Sequence, residues 1–164
     1  MKRRGGCTSR YHRRAQTSIE ALFITAILLT GILIAIPPYL NENRMTSAVV
    51  YVRNSASNAC AYLNTGVVVN GSEYTPLNRI IEADNYTYGG FQVSGISSIE
   101  SADRITVNVR IVYTGSELPG RSIQGNITAF IKNDLVSSTN VNVDNGKLYL
   151  NGKELEINVS VVRR

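Results

Sequence analysis

The chain has 164 residues and a formal net charge of +5, with seventeen Lys and Arg residues against twelve Asp and Glu residues. Six of the basic residues lie in the first fifteen positions, so the remainder lacks the basic excess that a nucleic-acid partner would require. With one histidine (His12) and two cysteines (Cys7 and Cys60), the composition excludes a disulfide framework, a His- or Cys-based metal site, and a nucleophile–histidine pair beyond position 15.

The N-terminal quarter starts with a basic stretch and continues into an apolar one. Residues 21–36 carry no charge, and the next four extend the run to about 30 Å of helix, which is enough to cross a bilayer. The run is apolar on all sides, as expected of a helix surrounded by lipid or by other protein. Because the basic flank precedes it, the positive-inside tendency predicts a cytoplasmic N-terminus and an external C-terminal part.

Three other interpretations compete for this layout. A secretory signal peptide needs small residues at a cleavage site after the apolar run, and the residues around Ala35 fit poorly. A twin-arginine signal has only Arg13-Arg14 in its favour. A plain membrane anchor stays open, although Glu20 places an acid at the start of the run, where a carboxylate is costly and usually has a partner or a function.

The five residues between the basic stretch and the apolar run are Gln16-Thr17-Ser18-Ile19-Glu20. In this position they resemble the Q-x-S-x-E signature of archaeal class III signal peptides, whose precursors are similar in plan to bacterial type IV prepilins. The resemblance implies cleavage by a prepilin peptidase between Ala15 and Gln16, which removes residues 1–15 as a leader. Glu20 then becomes the fifth residue of the mature chain, where pilins carry a glutamate. The resemblance covers about the first quarter of the chain.

The same resemblance implies a structural protein rather than an enzyme. The expected product is a pilin of an archaeal type IV-like adhesion pilus: a membrane precursor that becomes a subunit of a homopolymer in an extracellular filament. Its implied partners are other copies of itself, the prepilin peptidase, and a pilus assembly platform with its ATPase. We expect no catalytic residue, cofactor or metal. The alternative is an uncleaved, single-pass membrane protein that displays an extracellular β-sandwich for binding.

The residues that follow predict a second helical segment. Pro37-Pro38 predicts a kink or break, with the simple end of a membrane helix as the alternative. We therefore predict a helix over residues 16–65, with a transmembrane or filament-core half at 19–40 and an amphipathic half at 44–63. The amphipathic half follows from apolar residues at spacings of three and four, namely Met45, Val49, Val52, Ala56, Ala59, Cys60 and Leu63. Cys60 on this face is predicted to be a buried structural thiol.

From about residue 66 the pattern favours β-structure, so the predicted fold class is α+β. We expect residues 66–164 to form an antiparallel sheet or small sandwich of five to seven strands. The clearest strand alternates Ile105, Val107, Val109, Ile111 and Tyr113 with more polar residues. Asn151-Gly152 predicts a type I′ hairpin turn between strands at Lys147–Leu150 and Glu154–Val161. Further predictions are a short strand at Ile127–Ile131 and turns at Tyr88-Gly89-Gly90 and Leu118-Pro119-Gly120.

Four N-x-S/T sequons lie on the predicted external side, at Asn70, Asn85, Asn126 and Asn158. The number of sequons is only weak support for glycosylation, because a domain this rich in Asn, Ser and Thr contains such sequences by chance. Together with the topology they favour a glycosylated surface, since sugars would cover exposed strands and discourage aggregation at sheet edges. Asn158 is the least favourable of the four because it falls inside the predicted last strand.

Overall fold

The computed structural model describes residues 9–86 and 90–164, with side chains described for residues 18–37, 45–86 and 90–164. The chain divides into two compact units, Met1–Glu42 and Asn43–Arg164. The fold class is α+β, as predicted. The helices are α1 (Ser9–Thr65), a 3₁₀ turn (Ser72–Tyr74), α2 (Thr75–Ala83) and α3 (Gly120–Ser138). The strands are β1 (Gln92–Glu100), β2 (Arg104–Tyr113), β3 (Asn142–Asp144), β4 (Lys147–Leu150) and β5 (Lys153–Arg163).

Helix α1 continues through Pro37 and Pro38 without an interruption in its helical backbone. A complete break or a helix end at this point is therefore wrong, while a kink stays a prediction. Each proline removes one backbone donor, and the helical backbone nevertheless continues on both sides of the pair.

The predicted amphipathic half of α1 is confirmed in the unit Asn43–Arg164. Its buried side chains are spaced as one helical stripe, namely Ala48, Val52, Ala56, Ala59, Cys60 and Leu63. Met45 and Val49, which were also predicted on this face, are only half-buried. Ser55 also lies on the stripe, 1% exposed, and its Oγ has no hydrogen-bond partner among the described residues.

The strands of the described residues form one sheet in the order β1-β2-β5-β4-β3. One face is covered by helices, whose apolar residues share a single core with those of the strands. Strand β2 was predicted correctly, and Ile105, Val107 and Ile111 point into this core. The described strands form one sheet, so the alternative of a small sandwich is wrong.

The predicted antiparallel pairing is also wrong at the centre of the sheet, where β2 and β5 run parallel. Their register joins Arg104 to Glu154 and Tyr113 to Arg163. A crossover through α3 separates these two strands, and such a connection returns the chain in the same direction.

The hairpin between β4 and β5 has the predicted turn. Asn151 has φ 51° and Gly152 has φ 85°, and two positive values at the central positions define type I′. Asn145, with φ 49°, and Gly146, with φ 78°, repeat this arrangement between β3 and β4, where the sequence analysis did not predict a turn.

The strand predicted at Ile127–Ile131 is wrong, because these residues lie inside helix α3. The buried residues of α3 recur at helical spacing rather than in alternation, namely Ile123, Ile127, Phe130, Ile131 and Leu135. The predicted turn at Leu118-Pro119-Gly120 is correct only up to Pro119, after which Gly120 begins α3. Tyr88 and Gly89 of the other predicted turn lie outside the described residues.

Candidate functional site

The most unusual surface in the described residues is the apolar segment Ser18–Pro37 of α1. This segment is 20 residues long, apolar enough to span a membrane, and not buried anywhere along its length. Eleven large apolar side chains are 46% to 71% exposed, from Ile36 at the lower end to Ile34 at the upper. Since each such side chain gains about 1.5–3 kcal/mol on burial, this surface favours lipid or other protein over water. The absence of burial distinguishes the segment from the core helix of a soluble protein.

The polar groups within this segment are compatible with an apolar environment. Thr25 Oγ donates a hydrogen bond to the carbonyl of Ala21 at 2.8 Å, and Thr30 Oγ donates to the carbonyl of Ala26 at 2.8 Å. Both hydroxyls are therefore satisfied inside the helix itself. In a medium without water, polar groups satisfied within their own helix avoid a cost of several kcal/mol each.

The residues of the Q-x-S-x-E block lie at the N-terminal end of the apolar segment. Ala15 and Gln16 have helical backbones within α1, and their side chains lie outside the described set. Ser18 and Glu20 are exposed, and Glu20 is the only charged residue between positions 18 and 37. Gln16 and Glu20 are four residues apart, so they share one helix face at a rise of about 6 Å. Cleavage between Ala15 and Gln16 stays a prediction.

The structure separates the four sequons into two kinds. Asn70 is exposed in the loop after α1, and Asn85 is exposed in the turn after α2 with φ 51°. Asn126 is half-buried inside α3 and donates a hydrogen bond to the carbonyl of Ser122 at 3.0 Å. Asn158 lies inside β5, as the sequence predicted, and its Nδ2 donates to Oδ1 of Asn108 at 3.3 Å. The loop sites are thus the more accessible acceptors, and glycosylation itself stays a prediction.

The helix-free face of the sheet carries three of the four ion pairs among the described residues, and the fourth joins Lys153 to Glu100. Arg104 contacts Glu154 at 3.3 Å and Glu156 at 3.1 Å, and Lys147 contacts Glu154 at 3.1 Å. The hydrogen bond from Lys147, followed by the charge of Arg104, lowers the pKa of Glu154. Exposed ion pairs of this kind add little stability and indicate a solvated face. Among the described residues, no group of three or more His, Cys, Asp or Glu side chains is arranged to hold a metal ion.

Cys60 is expected to be unreactive in the folded chain, in agreement with its predicted structural role. Burial raises the pKa of this thiol from its ordinary 9.0 to about 12, so at pH 8 only about one molecule in ten thousand carries the thiolate. Iodoacetamide at pH 8 should leave Cys60 unmodified, and unfolding in urea should restore alkylation. Because the folded state holds the proton more tightly, stability should fall as pH rises from about 9 towards 12. Peptide mass mapping checks the first expectation, and rapid alkylation of native protein would contradict it.

Comparisons with known proteins identify no relative of this chain. No family model, curated protein or solved structure matches it. The features of the chain that bear on function are therefore residues 15–37 and the helix that contains them.

Proposed function

We propose that the chain is the precursor of a structural subunit of an archaeal type IV-like adhesion pilus. A prepilin peptidase cleaves it between Ala15 and Gln16, and the mature chain polymerises through α1. One observation carries this proposal: the exposed apolar helical segment Ser18–Pro37 begins within the Gln16-x-Ser18-x-Glu20 block and continues directly beyond it. This order leaves the apolar helix on the mature protein, whereas an ordinary signal peptide would lose it.

The physical chemistry of the segment fits assembly by helix packing. Cleavage removes six basic residues, which would otherwise hold the N-terminus in the cytoplasm and repel one another in a filament core. It also creates an α-amino group at Gln16, four residues before Glu20. In a low-dielectric environment this cation and the Glu20 carboxylate strongly favour pairing, and the resemblance to pilins implies that the pair forms between neighbouring subunits.

The Asn43–Arg164 unit supplies the surface of the proposed filament. Its sheet is covered by helices on one face only, and the other face is lined by polar side chains such as Asn108, Arg110 and Asn158. Sheets with one solvated face are suited to exposure at a cell surface.

A second candidate is an uncleaved, single-pass membrane protein that displays the sheet unit outside the cell. The same helix supports this candidate, since it is long and apolar enough to span a membrane whether or not the leader is removed. The two functions differ in the fate of residues 1–15.

The deciding experiment determines the N-terminus of the protein recovered from the cell surface, by intact mass and by sequencing after unblocking of a cyclised Gln16. We expect a mature chain that begins at Gln16 and sediments with filaments. A surface protein that still carries residues 1–15 would overturn the pilin proposal and leave the membrane-anchored binding protein.

A further inference from the structure

The chain contains three Asn-Gly pairs, at Asn70-Gly71, Asn145-Gly146 and Asn151-Gly152. In such a pair the side-chain amide of asparagine can be attacked by the backbone nitrogen of the glycine, because glycine has no Cβ to obstruct the approach. All six residues are exposed, so access of water does not distinguish the three pairs. The conformation of the backbone does distinguish them.

The two hairpin pairs have a backbone conformation that keeps the reacting atoms apart. Asn145 has φ 49° and Asn151 has φ 51°, and each occupies the first central position of a type I′ turn, where ψ is about 30°. At this ψ the glycine nitrogen lies nearly opposite Cβ across the Cα–C bond, so it faces away from the side-chain carbonyl carbon, Cγ. The last ladder pairs of β3–β4 and β4–β5 close the two turns and hold this geometry.

The pair Asn70-Gly71 lies instead in the loop between α1 and the 3₁₀ turn. Asn70 has a negative φ, and Gly71 is extended, with φ −165° and ψ 136°. The loop is anchored on both sides of the pair. The carbonyl of Val69 accepts a hydrogen bond from Asn78 Nδ2 at 2.9 Å, and the carbonyl of Gly71 accepts one from the backbone N–H of Tyr74 at 3.2 Å. Between these anchors, the peptide group formed by the Asn70 carbonyl and the Gly71 N–H has no hydrogen bond to the described residues.

We propose that Asn70 is a site of spontaneous deamidation and that it reacts before the other two Asn-Gly pairs. The free peptide group can rotate about the Cα–C bond of Asn70 without losing a hydrogen bond, and this rotation brings the Gly71 nitrogen to Cγ. The nitrogen loses its proton to hydroxide and forms a bond to Cγ, the Cγ–Nδ2 bond breaks, and Nδ2 leaves as ammonia. One water molecule then opens the five-membered succinimide ring at either of its carbonyl carbons, which gives aspartate or isoaspartate.

This reaction changes the surface of the Asn43–Arg164 unit. Each converted chain gains one negative charge at position 70, and its Asn70-Gly71-Ser72 sequon no longer offers an amide to which a sugar can be attached. The reaction goes beyond the proposed pilin function, because it requires neither cleavage of residues 1–15 nor a filament. A chain that keeps its leader would overturn the pilin proposal and leave the reactivity of Asn70 unchanged.

The test is incubation of the unglycosylated full chain in detergent at pH 9 and 37 °C, followed by peptide mass mapping over time. Fragmentation of the peptides assigns each loss of an amide to one residue, so Asn145 and Asn151 serve as controls within the same sample. We expect Asn70 to be converted at least several times faster than either of them. In guanidinium chloride the three pairs should react at similar rates, because unfolding removes the turns that protect Asn145 and Asn151.

Two variants separate the chemistry of the pair from the sequon that overlaps it. Gly71→Ala should slow the conversion of Asn70 at least several-fold, since the new Cβ shields the backbone nitrogen and meets Tyr74 Cδ2 at an acceptable 3.4 Å. Ser72→Ala destroys the sequon but keeps the Asn-Gly pair, so it should leave the rate unchanged. Equal rates at the three pairs in the folded chain, a preference for Asn70 that persists after unfolding, or a rate unaffected by Gly71→Ala would each overturn the proposal.

Discussion

Replacing Glu20 with glutamine is expected to reduce filament formation to less than about a tenth of the normal yield, because removing one member of a buried charge pair leaves the other charge unpaired. Glutamine keeps the size and hydrogen-bonding capacity of the side chain and removes only its charge. In the proposed filament core, the α-amino group of Gln16 would then have no counter-ion. The yield is measured as the fraction of chain in filaments sheared from cells, with electron microscopy to identify them.

The matched control for this experiment is Glu82→Gln, which removes an exposed carboxylate from α2 in the sheet unit. It should assemble normally, since its charge lies outside the proposed helix contact. The N-terminus of each variant shows whether residues 1–15 have been removed, which separates a defect in processing from a defect in assembly. Normal filament yield from Glu20→Gln would contradict the role of this carboxylate.

Replacing Ile127 with alanine should destabilise the Asn43–Arg164 unit by about 3 kcal/mol, since truncation of a fully buried isoleucine typically costs about 2–5 kcal/mol. Ile127 is 0% exposed on the inner face of α3, so the lost methyl groups leave a cavity in the single core. Urea unfolding of the full chain in detergent, followed by circular dichroism, measures the change in the free energy of unfolding.

The control is Gly125→Ala, which also introduces an alanine into α3. It is expected to raise the free energy of unfolding, whereas Ile127→Ala should lower it. A Cβ at position 125 meets nothing within 4 Å, so the substitution brings no clash. Alanine in a helix interior is favoured over glycine by about 1 kcal/mol, and the unit should gain about that much stability. A loss of stability in Gly125→Ala would show that residues 120–138 are not a helix in solution.

Some elements of the fold could be predicted because their local pattern has one structural solution. The alternation from Ile105 to Tyr113 fits only a half-buried strand, and Asn151-Gly152 fits only a turn in which both residues have positive φ. Asn145-Gly146 carries the same signal and was missed, although the dipeptide is visible in the sequence.

Other elements could be recognised only from a longer stretch of sequence or could not be recognised from the sequence at all. Ile127–Ile131 looks like a strand by itself, and the helix emerges only when Ile123 and Leu135 are added, because these residues extend a four-residue spacing over three turns. The parallel pairing of β2 with β5 could not be predicted from pattern at all. An alternation of period two is the same whichever way the neighbouring strand runs, and the direction follows from the crossover through α3.

The candidate site was visible in the sequence because apolar composition alone defines a membrane-length helix. The structure adds that Ser18–Pro37 is not buried along its length and that the hydroxyls of Thr25 and Thr30 donate hydrogen bonds within the helix. In the proposed pilin, the surroundings of this segment depend on cleavage and on neighbouring subunits, and no residue spacing within the chain encodes either of them. The position of β1 at an edge of the sheet was equally unpredictable, since an edge is defined by the order of strands in the sheet.

The central position of β5 also sets the order in which the chain can fold during synthesis. Every residue of β2 pairs with a residue of β5 that lies fifty positions later in the chain, as Ile105 does with Leu155. Until β5 has been made, β1–β2 and β3–β4 are two separate hairpins, and two-stranded hairpins are marginally stable in water. The apolar part of α1 leaves the ribosome more than a hundred residues earlier. In the proposed precursor, membrane insertion would therefore come first. The sheet can be completed only after Lys153–Arg163 has been synthesised, because β5 joins the β1–β2 hairpin to the β3–β4 hairpin.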